Sequence, residues 1–211
     1  MVEVKSFTFN PFQENTYILY DETKECVIID PGCYSLEEKQ ELENFISEKK
    51  LKPVKLLLTH GHIDHILGNN FLTGKYNVKI EMNEHDVKLL KAAPSYGTMW
   101  GINCEPSPEP HVLLSEGDTI TFGNSRLEIF FTPGHSQGSI CFYSRADNFV
   151  ISGDVLFNGS IGRTDLPGGD FDTLISSIKE KLFPLGDACK VYSGHGPFTT
   201  IGNERKSNPF L

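Results

Sequence analysis

No stretch of this sequence stays apolar over the ~20 residues that a helix needs to cross a bilayer, so no membrane partner is expected. Basic runs are also missing: 28 acidic residues against 19 basic ones give a net charge of −9 with histidines neutral. An acidic chain without a basic stripe lacks the cations that neutralise phosphate, which argues against nucleic acid as partner or substrate. The five cysteines, Cys26, Cys33, Cys104, Cys141 and Cys189, include no Cys-x-x-Cys pair. That spacing excludes a sulfur metal site and a disulfide framework, and predicts reduced thiols in a reducing compartment. Glu3 and Lys5 lie among strand-like residues at the N-terminus, with no signal-peptide pattern, so the simplest expectation is a cytoplasmic protein. Internal repeats and low-complexity segments are absent too. At 211 residues the expectation is one domain, residues 1–211, able to bury a large core.

What is abundant is histidine in one place. Thr59-His60-Gly61-His62-Ile63-Asp64-His65 puts three imidazoles and a carboxylate within six positions. Imidazole is the commonest transition-metal ligand and carboxylate its usual partner, so packing is a poor explanation for this density. The preceding apolar run, Val54 to Leu58, reads as a buried strand, and the cluster therefore sits on the loop at a strand end. His60 and His62, two apart, project to the same side of an extended segment. A catalytic zinc takes about three protein ligands plus water. Four donors this close fit two ions better than one.

Three further donors share that placement. His135 follows the strand-like Arg126 to Phe131 in Thr132-Pro133-Gly134-His135; Asp154 follows Asn148 to Ile151 in Ser152-Gly153-Asp154; His195 follows Lys190 to Tyr192 in Ser193-Gly194-His195. Each stands beside a glycine that permits close backbone approach. His85 and His111 fall outside the pattern and read as surface residues.

His60-x-His62-x-Asp64-His65, then His135, Asp154 and His195 in that order, resembles the metallo-β-lactamase-fold hydrolases. The stretch Gly159-Ser160-Ile161-Gly162-Arg163-Thr164-Asp165 is similar to the glyoxalase II (hydroxyacylglutathione hydrolase) and persulfide dioxygenase branch, especially its short glyoxalase II-like members. The resemblance implies a layered α/β (α+β) fold, the four-layer αββα sandwich with metals at one edge. It also implies a ligand set: His60, His62 and His135 at a first metal, Asp64, His65 and His195 at a second, and Asp154 bridging. Two divalent ions are the implied cofactors, zinc foremost, with iron or manganese as alternatives.

The activity so implied is hydrolysis of a small-molecule thioester, S-lactoylglutathione or a related hydroxyacyl thioester, by a metal-bound hydroxide, with Asp64 holding the hydroxide as well as a metal. Arg163 matches a basic position that contacts the carboxylate end of the glutathione moiety. Its structural alternative is a salt bridge to Asp165 or Asp170. A mononuclear-iron persulfide dioxygenase, using the residues matching His60, His135 and Asp154, is the second reading; lactonase or another metallo-hydrolase is the third. The metallo-β-lactamases with a cysteine at the second metal fit less well. The chain ends sixteen residues after His195, short of the helical domain with which typical glyoxalase II enzymes bind glutathione, so another thiol carrier is admitted. Oligomeric state is not readable.

Local signals complete the expectation. Val2 to Phe9, Thr16 to Tyr20 and Cys26 to Ile29 read as strands. Ser35-x-x-Glu38 is a capping box for a helix with Leu42, Phe45 and Ile46 on one face. Asn83 caps a helix carrying Val87 and Leu90. Asp118 to Phe122 and Arg126 to Phe131 form a hairpin around Gly123-Asn124-Ser125. Asp170 or Asp172 caps a helix that ends at Phe183-Pro184. Ala93 to Pro110, with four prolines, reads as a long irregular stretch, either packed on the core or forming a contact surface near the metals.

Overall fold

The computed structural model describes residues 1–211. Its first sheet joins β1 (Glu3–Phe9), β2 (Glu14–Tyr20), β3 (Glu25–Ile29), β4 (Lys52–Leu57), β5 (Ile80–Met82) and β6 (Val112–Leu113) in sequence order. The first three strands are antiparallel; from β3 onward neighbours are parallel. A parallel neighbour needs a crossover. These are supplied by α1 (Leu36–Glu48), α2 (Asn69–Tyr76) and α3 (Val87–Trp100). The second sheet contains β7 (Thr119–Phe122), β8 (Ser125–Phe131), β9 (Ile140–Ser144), β10 (Phe149–Gly153), β13 (Lys190–Ser193) and β14 (Thr199–Thr200), ordered β14-β13-β10-β9-β8-β7. A small hairpin, β11 (Leu156–Phe157) and β12 (Ser160–Ile161), precedes α4 (Phe171–Ser177), and α5 (Ile201–Ser207) closes the chain.

Period-two alternation sorts the apolar side chains into three buried clusters, and these define four layers. Leu19, Val27, Ile29 and Leu57 of the first sheet meet Leu127, Ile129, Phe142 and Ile151 of the second, filling the space between them. Their strand neighbours Ile18, Ile28 and Leu56 point the other way, onto Leu42 and Ile46 of α1, Leu72 of α2 and Leu90 of α3. On the far side Cys141, Val150 and Val191 pack against Leu174 of α4, Ile178, Leu182 and Ile201. Helix, sheet, sheet, helix is therefore the observed order, as the resemblance implies.

Most local signals hold. Ser35 Oγ accepts from the Glu38 amide at 3.2 Å while Glu38 Oε2 accepts from the Ser35 amide at 3.0 Å, completing the capping box. Of the two candidate caps for α4, Asp170 is the one used, accepting from the Thr173 amide at 2.8 Å. One expectation is overturned: the irregular stretch begins only at Gly101, because α3 runs unbroken through Pro94 to Trp100. Proline there removes one amide and crowds the preceding turn. Burial of Leu90, Ala93 and Gly97 on one face outweighs that cost. The helix ends where Gly101 takes a left-handed conformation, φ 71°.

Candidate metal centre

Four segments converge on one edge of the sandwich: the turn after β4, the loop after β8, the residue after β10 and the loop after β13. Their convergence is fastened by clips between the sheets. Asn15, on β2, donates through Nδ2 to the carbonyls of Ser193 at 3.0 Å and Gly196 at 2.8 Å. Tyr17 donates its hydroxyl to Ser193 O at 2.6 Å. The Ile140 amide, on β9, donates to Thr59 O at 2.9 Å. Loops from both sheets are thus held at one edge by hydrogen bonds.

Side-chain donor atoms gather there in trios whose members all lie within 4.8 Å of one another: His60, His62 and His135 form one, and Asp64, His65 and His195 another. A third grouping, Asp30 with His60 and His65, overlaps both. Asp154 lies between the first two. Its Oδ1 is 3.4 Å from His65 Nε2, and its Oδ2 is 3.5 Å from His135 Nε2 and 3.6 Å from His195 Nε2. The six predicted residues other than Asp154 therefore fall into the two expected trios, with Asp154 at their junction.

Ring orientation is set from outside the cluster. His135 Nδ1 lies 2.8 Å from the Arg163 carbonyl, His195 Nδ1 3.1 Å from the Phe12 carbonyl, and His65 Nδ1 3.1 Å from Asp30 Oδ2. Each partner is an acceptor, so each ring donates from Nδ1 and turns its Nε2 inward, the orientation typical of metal-binding imidazole. His62 is the exception, presenting Nδ1 at 2.8 Å from His135 Nε2. His60 Nε2, His65 Nε2 and Asp154 Oδ1 are buried and have no hydrogen-bond partner in the protein. Buried polar atoms are almost always paired. Orphaned donor atoms gathered at one edge fit bound cations.

Electrostatics divides the trios. His62 is pushed down to about 3 by burial and by the neighbouring His135, and His60 is pushed down for the same kinds of reason. Burial also disfavours charge on His65 and His195, but Asp64 and Asp154 outweigh it and hold both rings above their ordinary range. Burial alone would raise Asp64; the facing His65 and His195 bring it below the usual carboxylate value.

Two buried carboxylates brace this arrangement, and the sequence alone did not mark them. Asp30 accepts from the Thr59 amide at 2.7 Å and the Thr59 hydroxyl at 2.6 Å, besides facing His65. Asp86, just before α3, accepts from the amides of Gly61 at 3.0 Å and Gly138 at 2.6 Å, and from Ser136 Oγ at 2.6 Å. One carboxylate thus joins the His60–His62 loop to the His135 loop. Glycine is required at Gly162 and Gly194, where a Cβ would collide with the Asp154 carbonyl oxygen and with Asp154 Oδ1 respectively.

Beside the trios opens a cavity of about 370 Å³, within the range of small-molecule sites. His62, Asp64, His135, Asp154 and His195 line it, together with Phe12, Tyr96, Trp100, Phe157 and Arg163. Tyr96 and Trp100 come from the segment expected to be irregular, so that stretch does reach the centre, as helix. Arg163 lies on the rim and pairs with Asp165 through two hydrogen bonds of 2.7 Å. His85 and His111 are exposed and away from the trios. Four of the five cysteines are buried; burial pushes the thiols of Cys26, Cys33 and Cys141 up to about 12.

A four-layer sandwich with five histidines and two carboxylates at one edge defines a metallo-hydrolase of the metallo-beta-lactamase superfamily, and the chain belongs to that superfamily: its family model matches residues 9–195. Among curated relatives, a hydroxyacylglutathione hydrolase, GloC, of Haemophilus influenzae is 41% identical over 95% of this chain and 93% of its own length. A probable metallo-hydrolase, YqgX, of Bacillus subtilis is 40% identical over the same shares. Among solved structures, BLEG-1 B3 metallo-beta-lactamase superposes with a TM-score of 0.90 at 37% identity, over 99% of both chains. TTHA1623 in a di-iron-bound form gives 0.89 at 36%, over 99% of this chain and all of its own. No helix of the protein is long and apolar enough to cross a membrane.

Proposed function

We propose that this protein hydrolyses small-molecule thioesters of the hydroxyacylglutathione type at a two-metal centre. The observation that carries the reading is the pair of donor trios flanking Asp154, opening onto a cavity beside them. The similarity to hydroxyacylglutathione hydrolase GloC supports the substrate class. His60, His62 and His135 would hold one ion, Asp64, His65 and His195 the other, and Asp154 would contact both. Zinc is the first choice; the di-iron-bound neighbour supports iron as an alternative. Divalent ions bound there supply a water of lowered pKa and a Lewis acid toward a carbonyl oxygen.

The chain's own groups do the rest. Asp64 accepts a hydrogen bond from the attacking water and turns its lone pair toward the carbonyl carbon. The carbonyls of Arg163 and Phe12 and the carboxylate of Asp30 keep His135, His195 and His65 in one tautomer, so the centre does not reorganise as charge develops. A leaving thiol ionises near pKa 8.5 and needs little help from a general acid. Arg163, 54% exposed in its side chain, binds a substrate carboxylate by exchanging it for Asp165.

The second reading is the mononuclear-iron dioxygenase, for which His60, His135 and Asp154 would suffice. Seven convergent donors favour the two-ion centre. The deciding experiment loads the protein separately with zinc, iron and manganese and measures thiol release from S-lactoylglutathione beside oxygen uptake with a glutathione persulfide. Metal-dependent thiol release without oxygen uptake is expected. Oxygen uptake with iron alone and no thiol release would replace the hydrolase with the dioxygenase.

A further inference from the structure

Besides the metal-binding residues the cavity is lined largely by apolar side chains. Leu89, Tyr96 and Trp100 are spaced seven and four residues apart along α3, which puts them on one stripe of the helix, and all three line the cavity. Phe12, from the turn between β1 and β2, meets Trp100 with ring centroids 5.1 Å apart. Phe157 closes the wall from β11, its ring 6.1 Å from that of His195. The wall therefore starts beside the metal-binding edge and leads away from it. Trp100 stays 49% exposed and Phe12 half-buried, so their faces remain free to be covered. The only lysine or arginine lining the cavity is Arg163, already paired with Asp165.

A large apolar wall with one satisfied cation suits an apolar group better than a small hydroxylated one. A lactoyl group has a single methyl to bury, whereas the Phe12–Leu89–Trp100 face offers mostly ring and aliphatic surface, with the Tyr96 hydroxyl and the Trp100 indole N–H as its polar groups. An aromatic ring would cover the exposed faces of Phe12 and Trp100 and gain both area and ring–ring contact.

We propose that this wall is an acyl-group subsite that selects thioesters of apolar, above all aromatic, acyl groups. The inference rests on the thioesterase part of that reading and puts an apolar acyl group in place of the hydroxyacyl group. Water adds to the carbonyl carbon, the carbon–sulfur bond breaks, and an aryl-substituted carboxylate, the free thiol and one proton are the products. No oxidant or reductant is required.

The test uses one neutral carrier, N-acetylcysteamine, acylated with either a phenylacetyl or a lactoyl group, and metal-loaded full-length protein. The phenylacetyl thioester is expected to show kcat/KM at least about tenfold above the lactoyl thioester, the scale on which an apolar pocket discriminates. Trp100→Ala and Phe12→Ala should pull that ratio toward one, and Trp100→Phe should keep most of it. Trp100 is the only tryptophan in the chain. Its fluorescence therefore reports occupancy directly, using the non-hydrolysable thioether S-(2-phenylethyl)-N-acetylcysteamine. A saturable emission change that Phe12→Ala weakens is expected. Equal turnover of the two thioesters, or preference for lactoyl, overturns the subsite while leaving the thioesterase reading intact. If neither thioester is cleaved, S-lactoylglutathione decides the thioesterase reading, which fails if that too is left intact; in either case the subsite is judged by the thioether alone: saturable binding supports it and unchanged Trp100 emission overturns it.

Discussion

His60, His62 and His135 form a trio without a carboxylate, whereas Asp64, His65 and His195 form one built around a charge. The first trio draws its members from loops of both sheets, and Asp86 joins those loops by accepting from Gly61, Ser136 and Gly138. Asp30 braces the second through His65, and Asn15 and Tyr17 fasten the loop that carries His195. Burial, and then neighbouring imidazoles, push His60 and His62 of the first down; in the second, carboxylates outweigh burial and hold His65 and His195 up. Two adjacent sites of similar size thus differ in charge and in the strand ends that support them. The contrast implies that each can be damaged separately, and that Asp154 is where they meet.

Changing Asp154 should cost most, because both trios lose a neighbour at once. Asp154→Asn is expected to lower kcat/KM on the order of 10³-fold and to weaken retention of both ions, checked by steady-state kinetics and elemental analysis of the same sample. Normal activity in that variant would mean the trios do not share a carboxylate. Asp64→Asn confines the damage to the charged trio. It should lower kcat by about 10²-fold or more with the fold intact by circular dichroism; normal turnover and metal content would remove Asp64 from the active centre.

The brace of the neutral trio is tested by Asp86→Ala. Outer-shell partners are typically worth about 10–100-fold in metal affinity, and two stranded amides would cost about 1–3 kcal/mol each in stability. Metal titration and thermal melting should therefore both shift, with Asp86→Asn recovering part of each. A metal affinity unchanged in the alanine variant would show that Asp86 only supports the fold. Arg163→Ala should have a smaller effect, raising KM for a carboxylate-bearing thioester more than it lowers kcat. Stability should hardly change, since an exposed ion pair contributes about 0–1 kcal/mol. An unchanged KM leaves Arg163 only its contact with Asp165.

Away from both trios, Asp21 provides a control for acid sensitivity. Burial raises its carboxyl, but hydrogen bonds from Thr23, Ser125 and the Asn124 amide outweigh it and hold the group at about 2, below its ordinary 3.8. A depressed folded-state pKa contributes stability that is complete above the unfolded value and disappears as pH falls from about 4 to about 2. Asp21→Asn should flatten the melting temperature across that window without altering metal content; an unaltered acid profile would refute the assignment.

Much of the clustering was legible because the candidate donors repeat a simple relation, a donor at or just beyond the end of an apolar run. His60, His62, His135, Asp154 and His195 also stand beside a glycine; Asp64 and His65 follow in the same loop. Asp30 and Asp86 escaped because their roles depend on loops distant in sequence. Asp30 precedes Pro31-Gly32 and resembles an ordinary turn residue, while Asp86 resembles a favourable acid at a helix start. Strand β9 was missed as well: Ile140 to Tyr143 is an apolar run too short to separate strand from helix by periodicity. The extent of α3 was hidden by Pro94, since local propensity marks a break that packing of Leu90, Ala93 and Gly97 overrides. The apolar wall was invisible for a different reason: Phe12, Trp100 and Phe157 come from segments brought together only by the fold.

Metal stoichiometry in paired variants tests the two-trio account most directly. Elemental analysis after saturation and desalting should give two ions per chain for the wild type, with one ion lost in His62→Ala and one lost in His195→Ala. A single ion per chain in the wild type, retained in His195→Ala, would contradict it.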